Sequence, residues 1–428
     1  MCTSSCGVRL STFGVFFSVC FLGLTASTMA WVEPPKDYPD VKLAEEFFPG
    51  AAVAFDPSRP NRLVAGLTFG DACWVRRSID GGRTWGETRP LPRLPGTKCS
   101  SLITLSYASD GSHLYAAYDY YNDDSPSGIA FTTSDDHGET WSDPTVKSLP
   151  EVTNGCRSLD SAVEPDDSRS VYLTAICNSL GNDHLYFARM DGDDLSWDLF
   201  STIVSLDGAT LPQANLAAGR DGAVLVTYGQ QRALDETAVV VVARSRNRGT
   251  SFVFGNATTP FKSASSPTVA PDIAIGSSGK AHLVYSRSIG SSRAVLYKNS
   301  VPPYKTWSPG ARRLDDDDGE QYVAGSPRIT ASTCEDTSIL HVSWVESRVT
   351  RPLEGDLHKI LYTRKLEQAS SWSYPLAVSE TTEFIGPYLE DLAAGRGKAF
   401  LIFGSFSFAS YKTQIVGSRE WSGVTCRW

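Results

Sequence analysis

The 428-residue chain has no run of five or more basic residues, and its 39 Lys and Arg are outnumbered by 48 Asp and Glu. Nucleic-acid phosphates are gripped by concentrated positive charge, so a nucleic-acid partner is not expected. No Cys-x-x-Cys pair occurs, which removes the commonest zinc spacing. Only six histidines are present; His113, His282 and His341 recur at one position of successive repeats and read as structural rather than as a metal set. No cofactor or metal is expected. Apolar runs long enough to cross a bilayer are also missing. The longest, from about Phe13 to Ala26, follows Arg9 and leads through small residues to Ala30. It reads as a secretory signal over residues 1–30, which leaves no membrane span in residues 31–428 and places the protein outside the cytoplasm, secreted or periplasmic.

Cys2, Cys6 and Cys20 leave with that signal, and six cysteines remain. An even number in an exported chain favours disulfides over a thiol or metal chemistry. The turn "PDDS" at 165–168 centres a hairpin whose midpoint is equidistant from Cys156 and Cys177, so these two are predicted to pair. Cys73 and Cys99 fall at strand ends of adjacent units and form a second candidate pair; the pairing of Cys334 and Cys426 stays open. "NAT" at Asn256 is a glycosylation acceptor if the host is a eukaryote.

Against these absences stands a repeat. "SIDGGRTW" (78–85) returns as "SDDHGETW" (134–141) and, with substitutions, as "SRNRGTSF" (245–252). The closing aromatic recurs at Trp85, Trp141, Trp197, Phe252, Trp307, Trp372 and Trp421, in steps of 56, 56, 55, 55, 65 and 49. Upstream of these aromatics recur apolar strands such as "AVLVTYG" and "AHLVYSR", each preceded by a turn such as "GRDG" or "GSSG". Each unit thus reads as four antiparallel strands. Such units cannot bury both faces alone and must stack around an axis. The expectation is all-β: one β-propeller domain over 31–428, with seven four-stranded blades, or six if a terminal unit is irregular. The blades are placed near 50–90, 100–150, 157–206, 212–262, 269–314, 326–378 and 387–428. "YPDVKLAEEFF" (38–48) is expected to add an edge strand that helps close the ring.

The octapeptides resemble Asp-boxes, the BNR repeats of sialidases and many other propellers. The resemblance implies a structural turn between the third and fourth strands, on the face away from the ligand. Asp80, Asp136 and Asn247 would brace their own turns, while Trp85, Trp141 and Phe252 pack between sheets.

Function is then expected on the opposite face, where second strands end and first strands begin. Candidate ligand-binding residues there are Asp119, Arg157, Gln230, Arg287, Arg328 and Arg348, with Gln213, Asp272 and Tyr388 also at strand entries. Arginine, carboxylate and aromatic groups suit a carbohydrate. The sialidase resemblance implies Tyr388 as nucleophile and Glu346 as its base, in an enzyme of the exo-sialidase type. However, "FPGAAVAFDPS" stands where that family has an Arg-Ile-Pro element. The reading is therefore an extracellular glycan or glycoprotein binder with weak or no turnover; the alternative is a scaffold propeller that holds a protein partner. "LDDDDGEQY" (314–322) is read as a solvated acidic loop rather than a calcium loop. The oligomeric state is left open.

Overall fold

In the computed structural model, residues are described from Val41–Ala44 and from 50 to 421, apart from short internal segments at 123–124, 150–151, 180–181, 207–208, 212, 233–236, 263–268, 290–291, 316–321, 335–336, 349–356, 382–384 and 408–411. The proposed signal, Cys426 and most of the acidic loop lie outside the described residues.

Every regular element among the described residues is a strand. Antiparallel meanders follow one another along the chain as all-β propeller blades. The first runs Gly50–Phe55, Leu63–Phe69, Ala72–Ser78, Arg89–Pro90. The second begins at Lys98–Tyr107, the third at Val152–Glu164, and the fourth has Ala214–Ala218 as its main first strand. The last, Ile385–Gly395, Lys398–Ser407 and Lys412–Trp421, takes its fourth strand from Val41–Ala44. The N-terminal edge strand expected from the sequence therefore completes the C-terminal sheet.

Among the described residues the hydrogen-bonded sheets number six, where the aromatic spacing suggested seven units. The difference has one cause. The meander starting at Asp272–Ile275 and the one starting at Tyr322–Cys334 share a single eight-stranded sheet, joined by one parallel bridge between Arg293 and Val323.

The second strand of each meander lies mid-sheet and is covered on both sides. In Val224–Arg232 the run Val224, Leu225, Val226 and Thr227 is wholly buried, which explains why this segment is continuously apolar instead of alternating. Core clusters accordingly combine adjacent meanders: Phe400 and Ile402 pack with Val53, Leu63 and Leu67.

The repeated octapeptides fasten these junctions. Asp80 accepts hydrogen bonds from the Arg83 and Thr84 amides, both at 2.9 Å, and from the Thr84 hydroxyl at 2.6 Å. Asp136 repeats the set with Glu139 and Thr140 at 2.9, 2.8 and 2.6 Å. Desolvation pushes both carboxyls upward, but the threonine and backbone donors outweigh it and hold each at about 2. Asn247 keeps the geometry by accepting from the Ser251 amide at 3.0 Å and donating to its hydroxyl at 2.9 Å. In all three turns the serine that opens the motif accepts from the glycine amide: Gly82 to Ser78, Gly138 to Ser134, and Gly249 to Ser245.

The turns then reach into the preceding meander. Trp85 packs on Phe400 with ring centroids 5.4 Å apart, and Phe252 meets Phe187 edge-on at 4.9 Å. The residue before the glycine also reaches back. His137 Nδ1 lies 3.2 Å from the buried Asp56 carboxylate, and Arg248 Nε lies 3.1 Å from the buried Glu164. Asp80, Asp136 and Asn247 are thus braces of blade junctions.

Disulfides join Cys73 to Cys99 and Cys156 to Cys177. The second links directly opposed residues of one hairpin, as the turn midpoint implied. The first ties the start of the first meander's third strand to the start of the next meander. The recurrent histidines are internal props. His282 contacts the Tyr297 hydroxyl at 2.8 Å and Glu367 at 3.0 Å, and His341 contacts the Tyr362 hydroxyl at 2.7 Å and Ser332 at 2.8 Å. His113 pairs with Asp135 at 2.7 Å. No group of three metal-binding side chains occurs among the described residues.

Candidate functional site: the central cavity

A cavity of about 430 Å³ is lined by the first strands: Gly50–Phe55, Lys98–Tyr107, Val152–Glu164, Ala214–Ala218, Asp272–Ile275, Tyr322–Cys334 and Ile385–Gly395. It is the central channel of the ring. Most of its wall is small or apolar, because these strands converge and leave little room for long side chains. Polar groups gather at one level: Asp160, Asn215, Asp272, Arg328 and Asp391.

The three aspartates share one geometry. Asp160 takes the amide of its own successor Ser161 at 2.8 Å on Oδ1, and the Leu216 amide of the next first strand at 2.7 Å on Oδ2. Asp272 does the same with Ile273 at 2.8 Å and Ile329 at 2.7 Å. Asp391 repeats it with Leu392 at 2.7 Å and Val53 at 2.8 Å, which spans the junction between the last and first meanders. Asn215 extends the series by donating to the Pro271 carbonyl at 2.7 Å. Serine and threonine hydroxyls bridge another junction, with Thr104 and Ser161 2.9 Å apart. The aspartates satisfy backbone donors, and Asn215 a backbone acceptor, that face the channel where one sheet ends and the next begins.

Shielding from solvent pushes all three carboxyls up. Asp160 rises to about 7, first through desolvation and then through the neighbouring Asp272 and Asp391. Asp272 rises to about 6 through desolvation, opposed mainly by the Arg328 guanidinium. Asp391 is raised by the same burial, against the pull of Val53 and Arg328. Among the described residues, Arg328 is the cation that lines the cavity. It donates to Asn215 Oδ1 at 3.4 Å, and Gln213, turned so that its amide oxygen faces the guanidinium, accepts from Nη2 at 3.2 Å.

Of the residues anticipated at the site, Arg328 and Asp272 line the cavity, and Gln213 contacts Arg328. The others whose side chains are described lie away from that cavity wall. Arg157 forms an ion pair with Asp183, drawn by a nearly buried carboxylate that also accepts the Leu211 amide. Arg287 lies over the Phe261 ring at 4.9 Å. The three arginines Arg157, Arg287 and Arg328 therefore do not meet at the axis. Asp119 is buried and binds the Ser101 and Leu102 amides at 3.0 and 2.8 Å, where it supports an irregular stretch of the Lys98–Tyr107 strand. Gln230 sits opposite Val239, and Glu346 opposite Ala324 and Lys359, within their sheets and away from the cavity wall. The Tyr388 and Arg348 side chains lie outside the described residues, although the Tyr388 backbone pairs with Gly404.

Asp160, Asn215 and Asp391 were missed from the sequence, yet a signal was there. "DSA" (160–162), "NLA" (215–217), "DIA" (272–274) and "DLA" (391–393) repeat an acid or amide two residues before alanine. The carboxamide or carboxylate spans the junction, and the alanine leaves the channel open.

No family model matches the chain, and no curated protein matches it in sequence. Its fold does match solved structures. The BP39L lectin from Burkholderia pseudomallei is 13% identical over 88% of this chain and 97% of its own, with a TM-score of 0.56. A polysaccharide lyase described as an ulvan lyase is 8% identical over 88% and 95%, with a TM-score of 0.54. An alpha-L-arabinofuranosidase from Fusarium graminearum is 14% identical over 77% and 94%, with a TM-score of 0.50. At such identities the likeness is one of fold.

Proposed function

We propose that this chain is a secreted, sialidase-like Asp-box propeller that binds an extracellular glycan in its central cavity. The observation that carries the reading is the convergence of Arg328, Asn215 and three aspartates on one cavity of about 430 Å³. A sugar presents hydroxyls that both donate and accept, and this set offers N–H donors beside carboxylate acceptors within a concave site. The eight-stranded sheet is read as two blades, which gives seven around the axis. The disulfides Cys73–Cys99 and Cys156–Cys177 suit an extracytoplasmic compartment. Among the described residues the exposed large apolar side chains are Ile79, Val253, Phe254, Ile289, Val301 and Tyr374, spread over four of the repeat units.

Sialidase turnover is expected to be weak or absent. Among the described residues Glu346 does not line the cavity, and a single arginine does. Tyr388 remains the residue whose phenylalanine variant would reveal turnover in a fluorogenic sialoside assay. The binding test is an array of immobilised glycans probed with the wild type and with Arg328→Gln, folding being checked by circular dichroism. Losing the guanidinium should weaken binding on the order of tenfold to a hundredfold. A folded wild type that binds no glycan would leave the protein-scaffold reading in its place.

A further inference from the structure

Resting on the glycan reading, we infer that the cavity selects uncharged sugars over acidic ones, with Arg328 serving as a hydrogen-bond donor to hydroxyl or ring oxygens rather than as a carboxylate clamp. The argument starts from the charge count at the level where polar groups gather. Three carboxylates, Asp160, Asp272 and Asp391, line the same wall as one guanidinium. That guanidinium is already drawn to the amide oxygens of Asn215 and Gln213.

Clamping a sugar carboxylate needs positive charge in excess. Of the other arginines positioned by the sequence to supply it, Arg157 is engaged by Asp183 and Arg287 by Phe261, and the Arg348 side chain lies outside the described residues. An acidic sugar entering the cavity would meet Arg328 together with up to three like charges in a partly desolvated channel, where repulsion is screened less than in water. A neutral ring meets no such opposition. Its hydroxyls can donate to the aspartate lone pairs that the backbone amides leave unused and accept from Arg328. The wall carries no bulky polar group at the next position along, since Ala162, Ala217, Ala274 and Ala393 stand there.

The same arrangement gives a second readout. Burial holds Asp160 and Asp272 high in the carboxyl range. Protonation near pH 5 therefore removes much of the repulsion, while a sugar carboxylate keeps its charge. Tyr107, which also lines the cavity, has a phenol pushed above its ordinary value by burial and by Asp56, so it does not titrate between about pH 5 and 8.

The test is calorimetric titration of the mature protein with paired probes: neutral pentose and hexose oligosaccharides, and matched oligosaccharides ending in sialic or uronic acid. Each is measured near pH 8 and near pH 5. The expected result is a preference for the neutral partner on the order of tenfold near pH 8, which shrinks near pH 5 as the acidic partner gains. Equal or tighter binding of the acidic sugar near pH 8 would overturn the inference and leave glycan binding intact. Absence of binding by every probe at both pH values, in protein shown to be folded, would overturn the glycan reading and the inference with it.

Discussion

Alanine substitution at the three turn glycines separates backbone strain from collision. Gly82, Gly138 and Gly249 have φ of 87°, 82° and 78°, in the left-handed region, and each follows another residue with positive φ. Giving any of them a Cβ costs roughly 1–2 kcal/mol for the conformation alone, offset by up to about 1 kcal/mol from the stiffer unfolded chain. Their surroundings differ. At Gly138 the new methyl would sit 3.4 Å from Val64 and 3.5 Å from Leu114, ordinary contact distances. At Gly249 it would run into the Phe187 ring, and at Gly82 into the Phe400 ring. Both rings are fully buried and cannot swing aside. Overpacking of this kind adds about 1–3 kcal/mol. Gly138→Ala should therefore lose about 1 kcal/mol, and Gly82→Ala and Gly249→Ala roughly 2–4 kcal/mol each. Urea unfolding followed by tryptophan fluorescence and circular dichroism measures all three. Equal losses at the three sites would refute the idea that the turns are pressed into neighbouring aromatic rings.

Two further outcomes follow from the same structure. The raised carboxyls favour the folded state most below their unfolded values, and that contribution is lost as pH rises through about 6 for Asp272 and about 7 for Asp160. The lowered Asp80 and Asp136 contribute above the unfolded carboxyl range and lose their contribution as pH falls toward about 2. Melting temperature should thus climb from about pH 8 to a maximum near pH 5 and fall below about pH 4; a curve still rising at pH 8 would contradict these assignments. Replacing Cys156 and Cys177 together by serine opens a loop with a sequence separation of 21 and should cost about 3 kcal/mol in denaturant unfolding. A loss under about 1 kcal/mol would show that the hairpin is held by its ladder alone.

The parts legible in the sequence were those written locally. The Asp-x-Gly turns close within four residues, so their hydrogen bonds follow from spacing alone. The Cys156–Cys177 pair is set by one turn and a strand period. Contacts decided by competition between distant groups were not legible. Arg157 and Arg287 stand at strand ends that face the expected side, yet Asp183 and the Phe261 ring capture their side chains. Asp160 and Asp391 were missed, because their partners Leu216 and Val53 are 56 and 338 residues away. The count of sheets turned on one parallel bridge at Arg293, which no periodicity announces.

The pairing of Val41–Ala44 with Lys412–Trp421 bears on how the chain reaches this state. Among the described strands, the earliest in the chain waits for the latest. Until then the Lys412–Trp421 edge does not exist, and the inner surface of Gly50–Phe55 lacks the amide acceptor supplied by Asp391. Closure is a contact of very long range, and folds dominated by such contacts assemble slowly and expose strand edges on the way. A truncation that removes only the final strand would therefore leave two open edges and a gap in the ring, the state in which edge-to-edge association between copies competes with folding.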